Sequence, residues 1–278
     1  MSLFLPVQRC KAAIMRVHTV NAFRLLPEEL QSALSSLRSP FFNAEFLGLL
    51  EQTRCVSADT GWQPAHLWIE DNAKPVFYLP LYEKNHSWGE FVFDQRWAQL
   101  YQEHGYRYYP KLVTCVPFTP SVGPRWWCAD ENHLHEHLAT AFSHIESGLR
   151  SSRWSSWHLL FSENSSLLHN RSISLPHTPA HPPVHKKPFS ASASKKLLLN
   201  RQDTQFHWVN HDYQQFDDFL ARLKSRKRKK LRHERNRVAE QGVILQRKEG
   251  VTLTHEDWQE FYACYRNTYL VRGQTPYL

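Results

Sequence analysis

The sequence predicts an α/β (α+β) fold in which mixed sheets are flanked by helices, arranged as two modules in tandem. Three observations carry this expectation. Between residues 38 and 161, strand-like runs are followed by an amphipathic helical stretch and then by another strand-like run. Residues 162–203 then lose all periodicity and hold Pro176, Pro179, Pro182, Pro183 and Pro188 among many serines, which reads as a linker or insertion. From residue 204 a second strand–helix–strand–helix pattern begins. The expected boundaries are an N-terminal extension and helix over 1–37, a first module over 38–161, the linker over 162–203 and a second module over 204–278.

Each element has a local reason. Leu30, Leu34 and Leu37, then Phe46, Leu47, Leu49 and Leu50, recur at helical spacing, and Ser39-Pro40 divides them because the residue before proline avoids the helical region. Residues 66–70 and 76–83 read as strands joined by a turn at Asp71-Asn72, and a third strand is expected over 90–94. An aromatic helix is expected over 95–104, ended by Gly105. Residues 111–117 read as a buried strand and 118–125 as a Pro/Gly loop. Leu134, Leu138, Ala141, Phe142, Ile145 and Leu149 mark an amphipathic helix over 132–149, and 157–161 a further strand.

In the second module, 205–210 reads as a strand. Asn210 or Asp212 is expected to cap one long helix that runs to Gln241-Gly242, with Asp217 and Asp218 in its opening turns. Residues 243–248 read as a strand. Thr254 and Asp257 form a capping box before the aromatic stripe Trp258, Phe261, Tyr262, Tyr265 and Tyr269. Two strands make a poor free-standing sheet, so this module either borrows strands or lacks its own ending.

Composition narrows the function. The chain is 278 residues long, and 41% hydrophobic content with ten Trp supports a sizeable core and excludes collagen, disorder and disulfide scaffolds. Only nine glycines are present, no GxG occurs, and neither the dinucleotide fingerprint nor the Walker A loop exists. The five cysteines are odd in number and scattered without a CxxC pair, which fits a reducing, cytoplasmic setting. Arg9, Lys11 and Arg16 interrupt the N-terminal apolar patches, and no run reaches the ~18 apolar residues of a membrane span, so no integral membrane association is expected. No G-x-S-x-G elbow is present.

Net charge is +8, but residues 222–237 alone hold ten Lys/Arg against Glu234. That stretch sums to +9, so the rest of the chain is close to neutral. Such a run repels itself and reads either as a solvated face or as a site for a polyanion. On a helical wheel Phe216, Phe219, Leu220, Leu223, Leu231 and Val238 form one stripe, with Lys227 inside it and Lys230 at its edge. Lys227 therefore either snorkels to water or points into a cleft and meets a bound anion. Two histidine groups, His133/His135/His137/His144 and His177/His181/His185, fail the geometry of a shared metal site, and no metal is expected. The densest polar-aromatic segment, residues 87–125, offers Glu90, Asp94, His104, Tyr108, Tyr109, Lys111 and Arg125 among large rings, with Glu90, Val92 and Asp94 expected on one strand face.

That segment and the basic run resemble a bacterial family of FemAB-like proteins, labelled as peptidoglycan-biosynthesis or GNAT-type N-acyltransferase proteins. The resemblance rests on Pro40-Phe41, Gly61-Trp62-Gln63-Pro64, Leu79-Pro80-Leu81-Tyr82, Gly89-Glu90, Phe93-Asp94, Tyr108-Tyr109-Pro110-Lys111, Pro117-Phe118-Thr119-Pro120, Gly123-Pro124-Arg125, Gln205-Phe206-His207-Trp208 and 225–235. It implies tandem GNAT-like modules and transfer of an acyl or aminoacyl group to an amine-bearing acceptor. The donor would be acyl-CoA or aminoacyl-tRNA, with no tightly bound cofactor. Glu90 or Asp94 would help deprotonate the amine, and Tyr109 or backbone N–H groups would stabilise the oxyanion. Tyr108, Lys111, Arg125 and Trp208 would contact substrate, while Lys227, Arg228 and Arg232 would hold donor phosphates. The rival is a non-catalytic anion- or nucleic-acid-binding protein built on the basic helix. Residues 162–198 depart from the family pattern, and the chain ends where relatives continue, so an inactive, truncated member with an incomplete second module is also expected.

Overall fold

The structure, a computed structural model, describes residues 15–163, 201–202 and 204–276. Arg9 and Lys11, most of the expected 162–203 linker, and His177, His181 and His185 lie outside the described residues. The described chain divides into two compact units, with residues 15–163 in the first and 201–276 in the second.

The first unit is α+β. Its strands are β1 (Arg16–Val20), β2 (Trp62–Pro64), β3 (His66–Asp71), β4 (Lys74–Leu79), β5 (Tyr82–Lys84), β6 (Lys111–Thr114), β7 (Trp127–Cys128) and β8 (Trp157–Leu159). They form an antiparallel sheet ordered β1-β3-β4-β7 and a mixed sheet ordered β2-β5-β6-β8, in which β6 and β8 run parallel. One bent hairpin feeds both sheets. β2 continues through Ala65 into β3, β4 continues through Pro80 and Leu81 into β5, and the Ala65 N–H donates to the Leu81 carbonyl across the bend (2.8 Å). The hairpin closes at Asn72-Ala73, both left-handed, as a two-residue turn matched to strand twist requires.

Helices cover this β layer. α4 (Leu134–Arg150) lays Leu134, Leu138, Ala141, Phe142, Ile145 and Leu149 against Leu67, Ile69, Phe77, Leu79, Leu81 and Leu112. This is the expected amphipathic stripe. α1 (Glu28–Ser35) and α2 (Ala44–Gln52), separated around Pro40 as expected, pack Leu30, Leu34, Phe42 and Leu47 against Tyr78 and Val116. Period-two alternation divides β4 between these two cores, Phe77 and Leu79 to one and Tyr78 to the other. A buried polar chain pins α2: Glu51 Oε1 lies 2.7 Å from His66 Nε2, His66 Nδ1 lies 3.1 Å from the Tyr78 hydroxyl, and the Phe23 N–H donates to Glu51 Oε2 (2.6 Å). α3 (Gln95–Glu103) buries no residue.

The second unit contains α5 (Phe216–Ala221), α6 (Ser225–Glu240) and α7 (His255–Leu270). Two expectations are corrected here. Residues 205–210 and 243–248 form no strand; Phe206, Ile244 and Leu245 stand exposed, because apolar content without a pairing edge does not make a strand. The single long helix is broken at 222–224, and its opening cap is Gln215 with Asp218 rather than Asn210 or Asp212; Asn210 instead accepts from the Tyr213 N–H in a local turn. The break lets α6 fold back: Arg232 reaches Asp217 at 2.9 Å, and Arg235 stacks 4.2 Å from the Phe216 ring centre. In an uninterrupted helix, residues 217 and 232 would stand about 22 Å apart. The Thr254–Asp257 capping box of α7 forms as expected.

Candidate functional site

The mixed sheet places one row of side chains across three strands. Trp62 pairs with Lys84, and Lys84 pairs with Lys111, so all three project from the same face. Both lysines are fully buried. Two ammonium groups cannot share a dry site without compensation, and the row resolves the conflict by giving each a different environment.

Lys111 receives carboxylates. The loop after β5 returns over the sheet, and the Lys111 Nζ donates to Ser87 Oγ (2.8 Å), Glu90 Oε2 (2.7 Å) and Asp94 Oδ2 (2.6 Å). The Tyr108 hydroxyl donates to the same Asp94 oxygen at 2.6 Å, and the Ser87 and Tyr109 hydroxyls share a 2.8 Å hydrogen bond. Lys84 receives no carboxylate contact of this kind. Its Nζ sits 3.4 Å above the Trp62 ring centre and donates to the Trp88 carbonyl at 3.2 Å.

The expected strand over 90–94 is a loop instead. Phe91 (φ 59°) and Phe93 (φ 50°) are both left-handed, which turns Glu90 and Asp94 toward one ammonium where a strand would have kept them separated along its length. Gly89 is required at the start of this loop. Its φ is 80°, and a Cβ there would lie 2.7 Å from the Phe118 ring.

The charges are tuned in opposite directions. Burial lifts the Glu90 carboxyl above its usual range, only partly offset by Lys111. Burial also works against an ionised Asp94, but Lys111 and the Tyr108 hydrogen bond overcome it and hold that carboxyl down at about 2. Burial brings Lys84 down to about 7. It takes the neighbouring His158 down to about 4, with Lys111 adding to the effect, and lifts the Cys115 thiol to about 12. Asp94 is thus a fixed anion, whereas the Glu90 carboxyl is shifted toward its protonated form and the Lys84 ammonium gives up its proton at about 7. One oxygen on each carboxylate, Glu90 Oε1 and Asp94 Oδ1, is buried without a hydrogen-bond partner among the described residues.

The structure therefore gathers Glu90, Asp94, Tyr108, Tyr109 and Lys111 into one network. Arg125 lies apart from it. Its guanidinium is buried and donates to the Leu160 (2.8 Å), Pro124 (2.8 Å) and Ser121 carbonyls, which ties the 118–125 loop to the end of β8. Trp208, Lys227, Arg228 and Arg232 belong to the second unit. Trp208 and Lys227 are exposed, Arg228 reaches the Ala221 carbonyl (3.5 Å), and Arg232 pairs with Asp217. Arg222, Lys224, Arg226, Lys227 and Lys230 line one concavity at the start of α6. α6 has no acidic residue in its first turn, whereas α5 and α7 open with Asp217-Asp218 and Glu256-Asp257.

Lys84, Ser87 and Trp62 escaped notice as site residues. The available signal was alternation: Lys84 falls two residues after Tyr82, on a face that buries everything else. Among the described residues, no group of three or more His, Cys, Asp or Glu stands close enough to hold a metal ion. His137 contacts the Cys128 thiol (3.3 Å) and His133 at a ring separation of 6.2 Å. No helix among the described residues is long and apolar enough to cross a membrane.

A family model described as FemAB-like, peptidoglycan biosynthesis/recognition, matches residues 24–278. No curated protein and no solved structure matches the chain.

Proposed function

Because the chain belongs to the FemAB-like family, we propose that it is a GNAT-type N-acyltransferase that moves an acyl or aminoacyl group onto an amine of a peptidoglycan precursor. The observation that supports this reading is the Lys111 network, in which two carboxylates a few residues apart are tuned in opposite directions and each keeps one oxygen without a donor. An acceptor amine arrives as an ammonium and must lose a proton before it attacks. Glu90 takes that proton, and Asp94 stays ionised to hold Lys111 in place. Attack forms the new C–N bond, and the carbonyl oxygen becomes an oxyanion that accepts a hydrogen bond from Tyr109. Collapse breaks the C–O bond of an ester donor, or the C–S bond of a thioester; the leaving oxygen or sulfur takes the proton held by Glu90, and the surplus proton on the attacking nitrogen passes to Glu90 and then to water. Tyr108 is committed to Asp94 and orients it.

The basic concavity at the start of α6, which Lys227 lines, favours a phosphate-rich donor, aminoacyl-tRNA over acyl-CoA, with Lys227 on its phosphates there, Arg228 and Arg232 of the same helix on phosphates outside the concavity, and the exposed Trp208 ring available for stacking. Such a donor places the reaction in the cytoplasm.

The test incubates the full chain with charged tRNA or acyl-CoA and a muramyl peptide that carries a free amine, and reads the acceptor's mass. The acceptor gains one acyl unit, and Glu90→Gln lowers kcat/KM by about 10²–10⁴. No mass gain with either donor, together with no donor-induced change in thermal stability, removes the transferase reading. RNA binding by the same protein would then support the second reading, non-catalytic anion binding, which the α6 concavity favours on its own.

A further inference from the structure

The loop that carries Ser87, Glu90 and Asp94 to Lys111 is held at its start by two side chains that the transfer chemistry leaves unused. Lys84 is the last residue of β5, His86 follows two residues on, and both close on the peptide groups of Trp88. The Trp88 N–H donates to His86 Nδ1 (3.2 Å), and the Trp88 carbonyl accepts from the Lys84 Nζ (3.2 Å). The other ring nitrogen, His86 Nε2, lies 3.0 Å from the Thr60 carbonyl. Two adjacent residues form the seats of this clamp. Gly61 is left-handed at φ 70°, and the His86 ring packs so closely on it that a Cβ would lie 2.2 Å from Nε2. Trp62 lies beneath the Lys84 ammonium, 3.4 Å from its ring centre.

The partners fix the proton on His86. A peptide N–H only donates, so Nδ1 must offer a lone pair, and a carbonyl only accepts, so Nε2 must carry the hydrogen. The ring is therefore the neutral Nε2–H tautomer. A second proton, on Nδ1, would face the Trp88 N–H and break that hydrogen bond. Burial and then the Lys84 ammonium, with a smaller contribution from Lys111, hold protonation of His86 below its usual 6.5. Lys84 itself faces Glu90, Cys115, Lys111 and Asp94, and burial outweighs the carboxylates among them.

The clamp acts on the Lys111 network through a few bonds of backbone. Ser87, between the clamp residues, accepts from Lys111, and the Glu90 N–H donates to the Ser87 carbonyl (3.4 Å). We propose that Lys84 and His86 are positioning residues which, by gripping both sides of Trp88, set Ser87 and Glu90 on Lys111, and that the network assembles only while His86 is neutral. Its consequence for rate rests on the transfer reading, whereas the loop geometry does not. The sign follows from linkage: the unfolded chain binds the His86 proton more readily, so the clamp is complete above 6.5 and is lost as pH falls through the lower folded value.

The test is hydrogen exchange read by mass spectrometry on the full chain, with 15N NMR of the histidine rings. At pH 7, Lys84→Met and His86→Phe should each speed exchange across 85–94 about fivefold, the worth of one hydrogen bond, while α4 exchanges as in the parent. His86→Gln offers an acceptor and a donor but cannot take up a proton, so it should keep the parent's protection at pH 7 and hold it in acid. In the parent, protection of 85–94, corrected for the intrinsic pH dependence of exchange, should fall with the same midpoint as the His86 ring signal, below 6.5. A His86 ring protonated on Nδ1 at pH 7, unchanged exchange in Lys84→Met or His86→Phe, or a His86→Gln loop that opens with the parent's midpoint would overturn the proposal. If His86→Phe unfolds, Lys84→Met and the His86→Gln titration decide. A chain without transferase activity would show the same exchange pattern, so the two readings fail separately.

Discussion

The first unit buries two lysines and two carboxylates within one small volume, whereas the second spreads ten cations along a single stretch and leaves most of them in water. Both arrangements are rich in charge, yet they are governed by different physics. Around Lys111 each ion is dry, so its hydrogen bonds and nearest charges set its protonation, and a single missing partner leaves an uncompensated ion. Along α6 the solvent screens each cation, and pairs such as Lys230–Glu234 (3.7 Å) and Arg232–Asp217 contribute little individually. Removing one charge should therefore be costly in the first unit and nearly silent for stability in the second, where the effect appears in ligand binding instead.

The largest test of that contrast is Lys111→Met. It leaves Glu90 and Asp94 buried without their ammonium, and should lower unfolding free energy by roughly 3–5 kcal/mol at pH 7, measured by urea denaturation. The pH dependence should reverse as well. In the parent chain Asp94, depressed to about 2, contributes stability that is full above its unfolded value near 3.8 and lost as pH falls through 2. Without Lys111 both carboxyls rise above their unfolded values, so the variant should gain stability as pH drops from 7 to 5. Adding Glu90→Gln and Asp94→Asn should restore most of the loss. A Lys111→Met protein as stable as the parent would mean that water reaches the cluster and that the contrast with α6 is false.

Lys84 sharpens the same point with the opposite sign. Its folded value near 7 lies below the 10.5 of an exposed lysine, so the unfolded chain binds more protons between those limits. The cost of charging Lys84 in the folded state is full below pH 7 and relieved as pH rises toward 10.5. Stability should climb by on the order of 5 kcal/mol over that window, and Lys84→Met should remove the climb while leaving the protein no less stable at pH 7. A parent and variant with parallel pH profiles would show that Lys84 keeps its proton through the Trp62 contact alone.

How much of this was legible in the sequence follows the range of the forces. The α4 stripe, the turn after Asp71 and the Thr254–Asp257 cap are set within a few residues, and local pattern exposed them. Glu90, Asp94, Tyr108, Tyr109 and Lys111 stood out by residue type. Their geometry did not, because the left-handed Phe91 and Phe93 are set by what the loop packs against rather than by their own preference. Lys84 was not singled out, since its burial depends on Trp62 more than twenty residues earlier. β1 was missed because Arg16 and His18 mask an alternation that only its pairing with β3 reveals. Residues 243–248 erred the other way: their apolar content suggested a strand, and no partner strand supports it among the described residues.

In the second unit, Lys227→Glu with Arg228→Glu should change stability by no more than about 0.5 kcal/mol per site. Affinity for RNA should fall, and the log–log salt slope should flatten by ~0.7–0.9 for each phosphate contact removed. An unchanged slope would place the anion elsewhere and leave the α6 cations as a solvated face.

The smallest effect tests whether α6 folds back at all. A double-mutant cycle on Asp217 and Arg232, both largely exposed, should return a coupling of only ~0.2–1 kcal/mol that fades in high salt. Its size is modest, but its existence is diagnostic. In an unbroken helix those residues stand too far apart for any contact, and a surface pair at that distance is screened. A measurable coupling therefore requires the break at 222–224. Zero coupling with a gain in helix content would restore the continuous helix and align the cations along one rod instead of around the concavity at the start of α6. The Arg222–Lys230 cluster would then lose the shape that separates it from a simple charged surface, and the contrast with the first unit would reduce to burial alone.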